Sequence, residues 1–114
     1  MVNRKRIKAA VNLVLEEQNV QSPIEVSIAI IGDRKMRALN KKYRDKDKTA
    51  NILSFPLSEG EDTQLPSDVT RLGDIAISYP ELIREASEEE MLVDDRVDML
   101  VQHGMLHLLG LHHQ

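Results

Sequence analysis

Cysteine and tryptophan are absent from this sequence, and its only aromatic side chains are two tyrosines and one phenylalanine. Without cysteine there is no disulfide framework and no metal site built on thiolates, as suits a reducing compartment. The core must be assembled from Leu, Ile, Val, Ala and Met. No stretch approaches the roughly 18 apolar residues of a membrane span. Internal repeats and low-complexity tracts are also missing. Histidine is absent from the first 102 residues, and all four imidazoles fall in HGMLHLLGLHH, residues 103–113.

What remains is an ordinary globular composition, 41% hydrophobic and 30% charged over 114 residues, enough for one core and so for a single domain over 1–114. The basic start MVNRKRIKAAVNLVLEE resembles a leader only superficially. Ile7, Ala10, Val11, Val14 and Leu15 follow the stripe of an amphipathic helix, and Lys8, Asn12, Glu16 and Glu17 break the apolar run. A cytoplasmic location without membrane contact is therefore expected; oligomeric state is left open. The net charge of −4 conceals an asymmetry. Residues 34–48 hold eight basic side chains against two acidic ones, a surplus of six, so the rest of the chain sums to −10. Alone, such a run is most simply a solvated helix face and loop, and only weakly suggests a polyanion site.

Periodicity predicts a helix from about Asn3, its N-cap, to about Gln18, then a strand at 24–31, IEVSIAII. Gly32-Asp33 turns into a second helix with Met36, Leu39 and Tyr43 on one face and Asp33 as its N-cap. NILSF (51–55) reads as a strand closed by Pro56, residues 57–71 as a polar surface loop, and DIAIS (74–78) as a third strand. A short helix, PELIREA, opens with Pro80; SEEEM connects it to a longer one from about Val93 to Leu109. Interleaved helices and strands predict an α/β fold, a small mixed sheet packed by helices.

His103 and His107 stand four apart, about 40° around a helix axis, so they project from one face. Gly110 suits the left-handed position that ends a helix, and His113 follows where the chain can fold back. Three neutral imidazoles with an open fourth position form the usual catalytic zinc site, placed here at the end of the C-terminal helix. The alternative is a set of helix-terminal histidines favoured by the helix dipole. His112, beside the third ligand, is expected to point away. The spacing matches metzincin proteases except that Gly104 occupies the place of their glutamate base, so peptide hydrolysis is disfavoured. A phosphodiester needs charge neutralisation more than a carboxylate, and an arginine from the basic run would clamp phosphate best.

HGMLHLLGLHH resembles the H-G-x-L-H-L-x-G-[YF]-D-H signature of the YbeY family of endoribonucleases, also called rRNA maturation factors. LNKKYRDKDKTANILSFP (39–56) and LGDIAIS (72–78) are similar to two further blocks of that family, in the same order. Ala50 stands where the pattern has threonine, Leu111 where it has an aromatic and His112 where it has aspartate. The family's usual C-terminal helix has no counterpart before Gln114, so His113 lies near a chain end that tends to fray. The resemblance implies an α/β/α sandwich, one zinc ion per chain on His103, His107 and His113, and an active-site arginine at Arg44. It further implies cleavage of single-stranded RNA in 16S rRNA 3′-end maturation and ribosome quality control, with rRNA or the ribosome as partner.

On this reading Arg44 clamps the phosphate while zinc holds a water or a non-bridging oxygen; the attacking group is water or the neighbouring ribose 2′-OH. Lys46 and Lys48 either add phosphate contacts or are simply solvated. Ser54 is taken as a strand-end hydrogen-bonding group, and Asp74 as a brace of backbone. With so few aromatics, shape and backbone contacts are expected to dominate RNA recognition. Two other readings are an RNA- or ribosome-binding assembly factor with structural zinc, and a metallohydrolase of peptides or small molecules.

Overall fold

A computed structural model describes residues 2–57 and 69–111. The described residues form α1 (Arg4–Glu17), β1 (Ile24–Ile31), α2 (Asp33–Arg44), β2 (Ile52–Pro56), β3 (Thr70–Ser78), α3 (Tyr79–Glu88) and α4 (Val93–Leu108). Asn3 caps α1 as its sequence predicts, its Oδ1 accepting from the amides of Lys5 and Arg6 at 2.9 and 3.3 Å.

The sheet order is β1-β3-β2. Central β3 runs parallel to β1 and antiparallel to β2, which leaves one edge of β2 unpaired among the described residues. Alternation along β3 sorts its side chains between two layers. Ile75 and Ile77 pack in a core with Val14 of α1, Leu82 of α3 and Val97, Val101 and Met105 of α4. Ala76 points the other way, joining Leu53 of β2 and Met36 of α2. Helices thus cover both faces, and the expected α/β/α sandwich is what the chain forms. The guanidinium of Arg6 bonds Asp95 and Asp98, tying α1 to α4 across the larger layer. Among the described residues no helix is long and apolar enough to cross a membrane.

Three local expectations are corrected. β3 begins at Thr70, inside the segment read as loop, because parallel pairing with β1 extends to Ile24↔Thr70 through a bulge at Glu25/Val26. The remainder of that loop, 58–68, lies outside the described residues. α3 continues to Glu88, absorbing the start of the connection, and is capped by the buried Ser78, whose Oγ accepts from Glu81 N at 3.3 Å. Asp33 is the first helical residue of α2 rather than its cap, which is Gly32. The Asp33 carboxylate instead accepts tertiary bonds from Ser78 Oγ (3.0 Å) and Thr49 Oγ1 (3.3 Å), stronger competitors than its own backbone.

Candidate active site

The histidines are placed by the packing of α4. Val97, Leu100, Val101, Gly104, Met105 and Leu108 form its buried stripe, and His103 and His107 flank it. His103 is exposed and His107 half-buried. Their ring centroids stand 4.5 Å apart with planes tilted by 55°. Gly104 lets this part of α4 settle directly on the sheet. A Cβ there would come within 2.9 Å of Ile75 Cδ1, 3.2 Å of Ile52 Cδ1 and 3.3 Å of Ser54 Oγ. The place of a protease glutamate is therefore occupied by the sheet itself.

The helix ends as expected. Gly110 takes φ +82°, its N–H donates to His107 O at 3.0 Å, and Leu111 N–H donates to Leu106 O at 2.8 Å. His112 and His113 lie outside the described residues. Among the described residues no group of three His, Asp or Glu side chains is placed to hold a metal. Two imidazoles one turn apart on one face match the donor type that zinc favours and would furnish two ligands to such an ion.

Arg44 arrives from the opposite layer, as the last residue of α2, before Asp45 ends the helix at φ +56°. Arg37 on the same helix is committed to Asp47, its Nε donating at 2.8 Å, a bond that holds the Asp47 carboxyl below its usual range. Arg44 makes no ion pair among the described residues. Its guanidinium lines a cleft of about 530 Å³ together with Tyr43, Ser54, His103 and His107. The cleft follows the outer edge of β2, and residues 51–55 all contribute to its wall. Because β2 is an edge strand among the described residues, helices on opposite faces of the sheet both line the cleft beyond it. Asn51 is held from behind, its Nδ2 donating to the Glu85 carboxylate at 3.2–3.3 Å, which in turn accepts from Arg96 Nη2 at 2.9 Å.

A family model described as Endoribonuclease YbeY matches residues 2–114, the stretch that carries these two histidines and this arginine. The chain belongs to the YbeY family. Proteins named Endoribonuclease YbeY from Anaeromyxobacter sp. and Magnetococcus marinus are 43% and 40% identical to it over 90 and 98 residues. Those matches take in 79% and 82% of this chain, and 44% and 67% of the relatives. A third, from Thermoanaerobacter pseudethanolicus, is 35% identical over 95% of the chain and 73% of its own length. The chain thus spans between about half and three quarters of the length of these YbeY relatives. A solution structure from Thermotoga maritima shares the fold, with a TM-score of 0.62 at 21% identity over the whole chain and 75% of that protein.

Of the residues singled out from sequence, His103, His107 and Arg44 come together in the cleft. Lys46 and Lys48 are exposed on the segment after α2 and do not line it. Asp74 Oδ1 accepts from Arg71 Nη2 at 3.0 Å, and among the described residues it makes no bond to backbone. Sequence reasoning gave Tyr43, Asn51 and Phe55 no role at the site and took Ser54 for a strand-end group. Ser54 sits mid-strand in the cleft wall, and the only signal for all four was their position in the 39–56 block of YbeY resemblance.

Proposed function

We propose that the chain is a zinc-dependent, single-strand-specific endoribonuclease acting in the cytoplasm, in 16S rRNA 3′-end maturation and ribosome quality control. The observation that carries cleavage is the meeting of Arg44 with His103 and His107 in one cleft along the outer edge of β2. Family membership and the names of the relatives support RNA as the substrate.

His103, His107 and His113 would hold the zinc, which supplies Lewis-acid polarisation when bound. The chain's own contribution is positioning and charge. Arg44, which makes no ion pair among the described residues, offers its planar fork to the non-bridging phosphate oxygens and offsets the negative charge that grows on them. Gly104 removes the carboxylate that a peptidase would use at this place. The nucleophile, water or the neighbouring 2′-OH, enters from the open side of the cleft.

Single-turnover cleavage of end-labelled single-stranded RNA, beside DNA of the same sequence, tests this reading, with zinc content measured on each sample. Wild-type protein should cut RNA, and Arg44→Ala and His103→Ala should lose cleavage, the latter with its zinc. Full activity in either variant overturns the scheme. Salt-sensitive rRNA binding that survives zinc removal without any cleavage would favour an assembly factor instead.

A further inference from the structure

The cleft shares two walls with a second groove, of about 400 Å³, on the α2 face of the sheet. Tyr43 and Phe55 line both spaces. They are two of the three aromatic residues in the chain, and they meet edge to face with centroids 5.0 Å apart. Tyr43 is 57% exposed, and the Lys42 ammonium stands 5.2 Å from its ring centre. Beyond the rings the groove floor is set by strand register. Phe55 pairs with Asp74, which pairs with Ser27, and Ala76 beside them pairs with Ala29. Small side chains on two strands keep this floor low.

The groove is therefore a flat apolar slot ending in a carboxylate and opening beside an arginine clamp. Directly paired antiparallel residues have Cβ atoms about 5 Å apart, so a planar group packed on Phe55 has its rim at Asp74. Asp74 Oδ1 accepts from Arg71 Nη2, and among the described residues no hydrogen bond occupies Oδ2. Lys41, Lys42 and Arg44 share the last turn of α2 with Tyr43, which lines the groove, and bring positive charge suited to a phosphodiester backbone.

We propose that this groove is a nucleobase subsite, which holds a base next to the phosphate clamped by Arg44. The inference rests on the RNA reading above and extends it to base selection. Tyr43 and Phe55 supply the apolar stacking surface, and Asp74 accepts from an exocyclic amino group. Adenine, cytosine and guanine offer that donor; uracil has no exocyclic amino group, and its one ring donor, N3–H, is flanked by two carbonyl oxygens that a carboxylate repels.

Fluorescence anisotropy with the full chain and short oligo-C and oligo-U RNAs tests the subsite. Wild-type protein should prefer oligo-C, and one abasic nucleotide at the occupied position should erase that preference. Tyr43→Ala should weaken oligo-C binding about tenfold, the scale of one stacked base, whereas Tyr43→Phe should stay within about twofold. Asp74→Asn, whose amide donates as well as accepts, should bring oligo-C and oligo-U to similar affinity. Thermal melts of each variant check that the fold is intact. If the abasic scan has no sensitive position, or folded Tyr43→Ala binds like wild type, the subsite is refuted, even where cleavage persists and the nuclease reading stands. Absence of any RNA binding overturns both.

Discussion

Gly104 of α4 lies so close to Ile75 of β3 that a Cβ on the glycine would stand 2.9 Å from the isoleucine Cδ1. Alanine there gains up to about 1 kcal/mol of helix propensity but must displace the Cδ1 methyls of Ile75 and Ile52 and crowd Ser54 Oγ. The two effects offset, so Gly104→Ala should change stability little. Gly104→Glu adds a carboxylate with no space and no partner, and should cost roughly 3 kcal/mol or more. Urea denaturation of the two variants separates these outcomes. Restoring the protease glutamate should also bring no peptidase activity.

Arg44→Ala should lower the single-turnover rate on RNA by about 100-fold or more, the effect of losing one preorganised charge at a transition state. Arg44→Lys should recover only part of it, because an ammonium cannot bridge two phosphate oxygens. Since the side chain is exposed, neither change should shift the melting temperature measurably.

Gly110 takes φ +82°, where a Cβ is strained. Gly110→Ala should cost about 1 kcal/mol and disturb the turn that leads toward His113. Under the zinc proposal, equilibrium dialysis against zinc should show weaker binding in this variant while His103 and His107 are unchanged. Equal zinc affinity would detach His113 from the site.

Ser78 Oγ donates to Asp33 at 3.0 Å and accepts from Glu81 N, joining the start of α2 to the start of α3. Ser78 is fully buried, so Ser78→Ala removes one of the two donors to Asp33, leaving Thr49, and uncaps α3 together. A loss of about 1–3 kcal/mol in chemical denaturation is expected. Asp33→Ala, which leaves the cap in place, should cost less.

Asp47 titrates below its ordinary value because Arg37 donates to it. A carboxyl lowered in the folded state stabilises the protein above the ordinary carboxylate range, and the effect is lost as pH falls through the lowered value. Asp47→Asn should therefore be slightly less stable than wild type near pH 7, and the two should converge in acid. The pair is on the surface, so the difference should shrink in high salt.

Features set by neighbours in sequence were legible without coordinates. The i, i+4 spacing of His103 and His107 put both on one helical face, Gly110 marked the helix end, and Asn3 marked a start. Asp33 shows the limit of local reading, because its carboxylate prefers Ser78 and Thr49, which are remote in sequence. The register that begins β3 at Thr70 likewise needed β1 as partner.

By itself the sequence determined the element types, the two-faced sheet and the pair of imidazoles, since helical and strand periods are properties of a few consecutive residues. Tertiary structure alone decided that Arg44 reaches those imidazoles and that Tyr43 and Phe55 stand beside them. They sit on different layers of the sandwich, and they meet only because β2, as the outermost strand, lets helices from both faces converge past its edge.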